Sequence, residues 1–488
     1  MEIFLAYLIP VLLLLVVLAI FMTGILTVGA FSKWIEQKQQ PVFSIMLWLL
    51  GLGIAIPPLT QNRVLNEENV ADLSLYSSGI GKFAMTGLWV NKLLTWSVAL
   101  LAISLLFSRF VQSKQALHLP KRSNSPTFLI LAVIGYIVCD SVVSSAFGTK
   151  PEFNHDLIYP FLLFGAALTL HAGSFEATAR TARHVFLAIL VISLLAIPIV
   201  HDRVLQTDHH GLIPGFSLRL WGATQHANAL GAISMFYLII ERLAPWRNKT
   251  LRVLGWVIAI GTLILTQSKT NWAVASILAA VYFIKMVWSA MGAKYTDLRQ
   301  RENATVILGT LIIGSALLFS LIIAFDPQTI VDKIDRSFIS AGSSNLSGRD
   351  VLWEISIEAW KANPLFGYGP TIWSDEFRKA IGISFAYHGH NQYFNTLSRS
   401  GLVGFSGLIF ILSAYFYYAV RYLTITRGVL LAAFLFIMLR NATETPFNLW
   451  SMMSQETLIN MVMVALIAQI ARSRSEPNPL SIKENGPR

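Results

Sequence analysis

The 488-residue chain is 55% hydrophobic and only 13% charged, whereas a soluble domain carries about 25% charged residues. This composition excludes an ordinary soluble protein and predicts a polytopic α-helical membrane protein. The single cysteine, Cys139, excludes an internal disulfide and a cysteine-based metal cluster. The net charge of +11 fits the basic cytoplasmic loops of a membrane protein, so no nucleic-acid partner is expected.

Thirteen apolar segments are long enough to approach the roughly 20 residues that a membrane-spanning helix needs. In chain order they are 3–28, 42–59, 86–107, 127–147, 157–173, 185–201, 226–241, 253–268, 271–290, 304–325, 401–420, 428–445 and 455–471. Strands of a membrane barrel are about ten residues long and alternate in polarity, which these segments do not. The predicted fold is therefore all-α, with about 13 transmembrane helices, twelve of them plus an N-terminal one.

Lysine and arginine are unequally divided between alternate loops. One set, which includes the tail 472–488, holds 21 of them, and the opposite short loops hold 7. Because positive residues gather in cytoplasmic loops, the tail is predicted to be cytoplasmic and the long loop 326–400 external, which in a Gram-negative bacterium is the periplasm. The predicted organisation is helices 1–10 in 1–325, the periplasmic loop in 326–400, helices 11–13 in 401–471, and the tail.

The external loop carries the chemistry that stands out most. A helix is predicted from Ser347 to Pro364, with Arg349 in its first turn. A guanidinium beside a helix N-terminus can bind phosphate, and a salt bridge to a loop carboxylate is the alternative. The apolar face of this helix, predicted to lie on the membrane surface or to cap the helix bundle, consists of Val351, Trp353, Ile357 and Trp360.

Two histidines, His388 and His390, lie near the end of the same loop. An imidazole with a pKa near its reference value of about 6.5 can accept a proton from an attacking hydroxyl. A hydrogen-bonded histidine at a helix cap is the alternative. No carboxylate lies close to this pair in the sequence, so no metal site is expected.

Other polar groups are predicted on the same side of the membrane. Arg219 precedes the seventh segment and His226 begins it, Lys269 lies in the tight turn between the eighth and ninth, and Glu444 lies near the outer end of the twelfth. Positively charged side chains within the membrane are energetically costly and tend to be functional. Together they would suit a diphosphate, whereas separate contacts to lipid headgroups are the alternative. Glu444 would balance one of the cations or act as a second acid–base group.

Several motifs resemble those of one bacterial family. His390-Asn391, nine further residues and then Gly401-x-x-Gly404 resemble the signature of the O-antigen ligase and Wzy-type polysaccharide polymerase superfamily. Ser-Gly-Arg-x-x-x-Trp at 347–353 and Pro-Leu-Phe-Gly-Tyr-Gly at 364–369 resemble the long periplasmic loop of that family. The segments 219–231 and 268–270 resemble two further regions, so the similarity covers roughly 215–410.

The resemblance implies an inverting, metal-independent and cofactor-free membrane glycosyltransferase with a GT-C-like fold. Its donor would be a glycan on undecaprenyl diphosphate, with His390 as the base and Arg349 holding the diphosphate. The residues expected to bind the diphosphate or the acceptor are Arg219, Lys269, His388, Asn391, His226 and Glu444. Lys269 departs from the family pattern, in which arginine is more frequent, and lysine lacks the bidentate fork.

Three functions remain open from the sequence. A polymerase would join lipid-linked repeat units, and His-x-Asn-x-Leu-Gly at 226–231 favours it because the pattern resembles exopolysaccharide polymerases. A ligase would transfer the glycan to lipid A–core with the same site. A lipid-linked glycan transporter would need ionisable groups at the bilayer midplane, for which Asp140 and Lys285 are candidates. Expected partners are membrane lipids, the acceptor glycan or lipid A–core, a flippase and a chain-length regulator.

Overall fold

The structure is a computed structural model that describes residues 32, 34–60, 63, 65, 85–115, 126–172, 175–207, 209, 216–291, 349–382 and 387–473. The described residues are mostly helical, and their buried apolar side chains form one large core with a small satellite cluster. The predicted segments 3–28 and 304–325 lie outside the described residues, as do Ser347 and the tail beyond residue 473.

The helices are numbered here in chain order. They are α1 Gln39–Thr60, α2 Met85–Gln115, α3 Thr127–Phe147, α4 Ile158–Thr169, α5 Phe175–Leu195, α6 His201–Val204, α7 Ala227–Glu241, α8 Lys249–Leu265, α9 Lys269–Met291, α10 Arg349–Ala362, α11 Asp375–Ala380, α12 Gln392–Arg421, α13 Val429–Asn441 and α14 Gln455–Ser473. A π-helical turn, Val138–Val143, interrupts α3. A 3₁₀ turn, His155–Leu157, precedes α4. Two short strands, β1 Leu205–Gln206 and β2 Arg219–Leu220, pair antiparallel.

Within the described residues, six helices are long and apolar enough to cross a membrane. They are α1, residues Val90–Val111 of α2, α3, α5, α12 and α14, and the shorter apolar helices are α7, α13 and α4 with its preceding turn. Eleven of the thirteen predicted segments coincide with described helices. The prediction of a polytopic helical membrane protein is confirmed, and the total of thirteen stays a prediction.

The helix α14 lies at the centre of the bundle. Every residue of Thr457–Ala471 is buried, as expected for a helix surrounded by other helices on all sides. At its first turn Glu456 lies 3.6 Å from Arg440. At its last turn Arg472 donates hydrogen bonds to the carbonyls of Leu168 and Leu170. The two ends of α14 therefore lie in two separate polar layers.

The helix α10 confirms the helix predicted in the loop 326–400, but the predicted apolar face is only partly right, because Trp353 lies on the buried face and Val351 does not. The buried side chains are Leu352, Trp353, Ser356 and Ala359, whereas Val351 is 40% exposed. The reason is that α10 packs against α12 and contributes to the satellite cluster with Ile372 and Trp373. Protein contacts thus set which face is buried.

The helix α12 is two half-helices joined at Gly401, whose φ of 61° and ψ of −157° are not helical. The predicted eleventh segment began at residue 401, which is where the second half starts. The first half, 392–400, extends from the break toward His390 and Asn391, and it carries the family motif into the layer of polar residues at that end of the bundle.

Candidate functional site

The backbone before α12 holds His390 in a defined position. Asn391 caps the helix, since its Oδ1 accepts hydrogen bonds from the N–H groups of Tyr393 at 2.9 Å and Phe394 at 3.3 Å. Its Nδ2 donates to the carbonyl of Ala442 at 3.1 Å. His390 itself has a φ of 46°, a left-handed conformation that histidine adopts more readily than most residues. Both ends of the Asn391 amide therefore fix His390 beside the corner that follows α13.

That corner carries Glu444, a carboxylate only 6% exposed. Its Oε1 accepts a hydrogen bond from Asn228 Nδ2 at 2.5 Å and lies 3.6 Å from Arg349 Nη2. Its Oε2 lies 3.7 Å from His390 Nδ1. Three parts of the chain thus converge on the carboxylate carried by the corner after α13. They are the first turn of α7, the first turn of α10 and the residue before the α12 cap.

Arg219, at the start of β2, joins the same cluster through Asn228. Its Nη2 donates to Asn228 Oδ1 at 3.2 Å, and its Nε donates to the carbonyl of Thr266 at 3.1 Å. Burial, the main cause, lowers the pKa of Arg219 to about 10, so the guanidinium remains charged at neutral pH. The amide of Asn228 therefore bridges Arg219 and Glu444.

His226 and His388 are present at this end of the bundle as neutral rings. Burial and the charge of Arg219 lower the pKa of His226 to about 3. Burial and the neighbouring His390 lower the pKa of His388 well below its ordinary value. The Nδ1 of His226 accepts from the Asn228 N–H at 3.1 Å, and the Nδ1 of His388 accepts from the His390 N–H at 3.2 Å. Each ring therefore carries its proton on Nε2.

Glu444 is negatively charged across the physiological range. Burial alone would raise the pKa of its carboxyl, but the interactions with His390 and the charge of Arg349 outweigh burial and hold the pKa well below its ordinary value. Two guanidinium groups, Arg219 and Arg349, thus face one carboxylate, which leaves the cluster with positive charge available to an anion.

One ring nitrogen of His390 remains able to form a further hydrogen bond within this cluster. Its Nδ1 is buried and has no hydrogen-bond partner among the described residues, because 3.7 Å to Glu444 is too long for a hydrogen bond. Its ring lies 4.1 Å from that of His388, centroid to centroid. Histidine contacts of this kind are often loose without substrate and shorten in the reactive complex, so His390 can take part in proton transfer.

Lys269 differs from the other predicted cations. It is the first residue of α9 and is exposed. Its neighbour Thr270 contacts Thr443 through the two hydroxyl oxygens at 2.8 Å, so Lys269 lies beside the corner that carries Glu444. The structure thus gathers six of the other seven predicted site residues around Glu444, and the seventh, Lys269, lies at the edge.

Two residues of this cluster were not among the predicted site residues. Asn228, two residues after His226, makes the shortest of the described contacts to Glu444. Trp353 Nε1 donates to the carbonyl of Gly389 at 3.0 Å, and the Gly389 N–H donates to Asn395 Oδ1 at 3.1 Å. Both residues lie inside motifs described in the sequence analysis, and their place in these motifs is the signal that could have identified them.

A metal ion could be held by the ligand atoms of His388, His390 and Glu444, which all lie within 4.8 Å of one another. Two imidazoles and one carboxylate are an ordinary donor set for a transition metal. The guanidinium of Arg349, 3.6 Å from the same carboxylate, opposes a second cation there. The expectation of a metal-independent site stays a prediction.

Comparison with known proteins places this geometry in context. Residues 254–409 match the family described as O-antigen ligase. A segment of 131 residues is 27% identical to the exopolysaccharide production protein ExoQ of Rhizobium meliloti (strain 1021), and it covers 25% of this chain and 29% of that relative. The chain therefore matches less than a third of the length of ExoQ.

The family match includes Arg349, His388 and His390, together with both glycines of the predicted signature. The predicted resemblance is thereby confirmed: residues 254–409 of this membrane protein are similar to the O-antigen ligase family, and the segment similar to ExoQ supports the same wider group of ligases and polysaccharide polymerases.

Proposed function

We propose that the chain is an inverting membrane glycosyltransferase that transfers a glycan en bloc from undecaprenyl diphosphate, and that the reaction is polymerisation of O-antigen or exopolysaccharide repeat units. The observation that carries the proposal is the cluster at Glu444, which faces the arginine and the histidine of the family motifs at 3.6 and 3.7 Å. The proposed location is the bacterial inner membrane, with this cluster facing the periplasm and the C-terminus in the cytoplasm.

The charge of the cluster suits the donor. When the bond between the anomeric carbon and the diphosphate oxygen breaks, negative charge develops on the leaving group. Arg349 and Arg219 supply fixed positive charge to stabilise it, the electrostatic contribution that is usually the largest in catalysis. Lys269, at the edge of the cluster, would contact the lipid-linked diphosphate as a point charge. No nucleotide or other cofactor is needed, because the diphosphate already activates the donor glycan.

His390 is the proposed base. Its Nε2 would take the proton from the acceptor hydroxyl while that oxygen forms the new bond on the opposite face of the anomeric carbon. Glu444, facing Nδ1, would hold the proton on that nitrogen and stabilise the imidazolium that forms, as carboxylates do in other histidine-dependent enzymes. His388 and His226, protonated on Nε2, would donate hydrogen bonds to sugar hydroxyls.

Polymerase and ligase use the same site chemistry and differ in the acceptor. The similarity to a protein named for exopolysaccharide production supports the polymerase, whereas the description of the matching family supports the ligase, with lipid A–core as the acceptor. The His-x-Asn-x-Leu-Gly segment at 226–231 also favours the polymerase, and its asparagine is Asn228, which binds Glu444. A flippase and a chain-length regulator are the expected protein partners.

The test is reconstitution of the purified protein with a lipid-linked repeat unit alone. The polymerase predicts a ladder of products, and His390→Ala abolishes it. Product that forms only after lipid A–core is added would instead assign the ligase. Chelation of divalent ions is expected to leave either activity unchanged.

A further inference from the structure

A second buried carboxylate, Asp140, lies inside the bundle and has no part in the chemistry proposed above. It is 4% exposed and belongs to the π-helical turn of α3. Turns of this kind are rare inside helices and are frequent at functional sites. A buried carboxylate is costly unless it is paired or hydrogen-bonded. Its partner in the adjacent helix is Ser400, whose Oγ donates to Asp140 Oδ1 at 2.7 Å.

Ser400 is the last residue before the break in α12. The next residue, Gly401, has a φ of 61°, and a Cβ there would overlap the backbone of Leu365. A Cβ on Gly404 would overlap the side chain of Ser400. The two glycines of the family signature therefore have separate tasks: one permits the break, and the other leaves room for the hydroxyl that reaches Asp140.

The loop 363–369 satisfies the backbone groups that the break exposes. The N–H groups of Tyr368 and Gly369 donate to the carbonyls of Ser398 and Arg399 at 2.8 and 2.9 Å. In return, the N–H groups of residues 402 and 403 donate to the carbonyls of residues 364 and 365 at 2.9 and 3.1 Å. A broken helix at membrane depth is tolerated only where such partners replace the lost hydrogen bonds.

Arg399 connects the break in α12 to the segment that follows Glu444. It is 8% exposed, and its Nη1 donates to Asn448 Oδ1 at 3.2 Å. Its guanidinium lies over the ring of Trp450, 4.7 Å from the centroid. Arg399 is also the main positive charge acting on Asp140. Three elements thus meet at one buried point: the loop that carries Glu444, the π-helical turn of α3 and the end of the first half-helix of α12.

We propose that Asp140, Ser400 and Arg399 are positioning residues for His390, an inference that rests on the function proposed above. The first half-helix, 392–400, has only nine residues, too few to be stable alone. Its place is set by contacts at its two ends, Asn391 on Ala442 and Ser400 on Asp140. A shift at the buried end is transmitted along two and a half turns to His390, and a misplacement of about 1 Å can cost roughly 100-fold in rate.

The test compares two serines of α12 that each donate a hydrogen bond to the carbonyl four residues earlier. Ser400 does so to Thr396 at 3.0 Å and also reaches Asp140, whereas Ser413 does so to Ile409 at 2.7 Å and is exposed. We expect Ser400→Ala to lower kcat by at least about tenfold with the KM for the lipid-linked donor changed by less than about twofold. Ser413→Ala should retain both constants.

Asp140→Asn provides a second variant, because the amide keeps an oxygen that can accept from Ser400 and removes only the charge. It should lower kcat less than Ser400→Ala does. Wild-type kcat in both Asp140→Asn and Ser400→Ala would overturn the inference, and so would loss of folded protein in both, which would assign the cluster to folding. Normal kcat in these variants with an inactive His390→Ala would leave the proposed function intact, whereas an active His390→Ala would overturn that function itself.

Discussion

Two buried glutamates, Glu36 and Glu444, lie toward opposite ends of α14, and each lies within 4.0 Å of one arginine and one histidine. The Glu444 end is marked by Glu456, which lies 3.6 Å from Arg440 in the last turn of α13, shortly before Glu444. The Glu36 end is marked by Arg472, which binds carbonyls of the same α4 terminus that leads to His171. The same three residue types therefore occur in both polar layers.

The geometry of the two clusters differs. The carboxylate of Glu36 lies 2.5 Å from His171 Nε2 and 3.3 Å from Arg109 Nη1, and it accepts from Gln39 Nε2 at 2.7 Å. It thereby links the segment before α1 to the ends of α2 and α4. These are short contacts that satisfy both carboxylate oxygens, as expected of a group that holds helices together.

Around Glu444, in contrast, the charged contacts are 3.6 and 3.7 Å long, and His390 Nδ1 has no hydrogen-bond partner within the described part of the chain. The backbone of His390 is also in a left-handed conformation that the Asn391 cap sustains. Composition alone would not separate the two clusters. Two features of His390 do separate them: its Nδ1, which has no hydrogen-bond partner among the described residues, and its left-handed backbone conformation. These features favour a catalytic role for the Glu444 cluster and a structural role for the Glu36 cluster.

The largest expected difference lies between the two histidines. His390→Ala should reduce glycan transfer on the order of 10²–10⁴-fold, because a positioned general base contributes about that much. His171→Ala should leave transfer within a few-fold of wild type at equal amounts of folded protein. Transfer rates of the purified variants measure this. Equal losses in the two variants would remove the functional distinction between the clusters.

The arginines should differ nearly as much. Arg349→Ala is expected to lower transfer by about 10²–10³-fold, the usual loss when one preorganised charge-stabilising group is removed. Arg349→Lys should recover part of the rate, since charge remains but the bidentate fork does not. Arg109→Ala provides the matched control and should affect thermal stability more than rate. A wild-type rate in Arg349→Ala would exclude it from the diphosphate site.

A smaller effect is expected from the carboxylates themselves. Glu444→Gln should lower transfer about 10–100-fold, by analogy with the loss seen when a partner that orients a metal-binding histidine is removed. Glu36→Gln should instead lower the melting temperature and keep the rate. A stable, fully active Glu444→Gln would mean that Glu444 only neutralises cations in the resting protein.

A further expected difference concerns stability at acidic pH rather than the rate of transfer. The pKa of His226 falls from about 6.5 in the unfolded chain to about 3 when folded, so below about pH 6.5 the unfolded chain binds a proton that the folded protein does not. Stability should therefore fall as the pH drops from about 6.5 toward 3, by at most about 1.4 kcal/mol per pH unit from this group. His226→Asn keeps a good helix cap and should flatten this dependence in thermal melts. An unchanged slope would contradict the buried, neutral histidine.

Much of the fold was predictable because apolar length is a strong local signal. The helices containing Asp140 and Glu456 were both found in this way, and the motif spacing identified His390 and Arg349 as candidates. Glu444 is predicted to balance a cation or to act as a second acid–base group, but its pairing with His390 is not, because 54 positions separate the two residues and no local pattern shows that they meet. The sequence also could not show that Gly401 breaks α12, since glycine is common in membrane helices.

The buried face of α10 is predicted only in part for a related reason. Its periodicity indicates an amphipathic helix on the membrane surface or capping the bundle, but it does not identify α12 as the partner, and the packing on α12 places Leu352 inside and Val351 outside. Asp140 was considered as a transport residue because it is ionisable and lies within a span. Its hydrogen bond to Ser400, 260 positions away along the chain, gives it a different context that only the fold reveals.

The most direct test of the central claim, that His390 and Glu444 act as one unit, is a double-mutant cycle on the rate of glycan transfer. Groups that act together are strongly non-additive when removed. The purified His390→Ala/Glu444→Gln variant should therefore transfer glycan no more slowly than His390→Ala alone. A further loss in the double variant equal to that of Glu444→Gln alone would show that the two residues act independently and would contradict the assignment of Glu444 as the partner of the base.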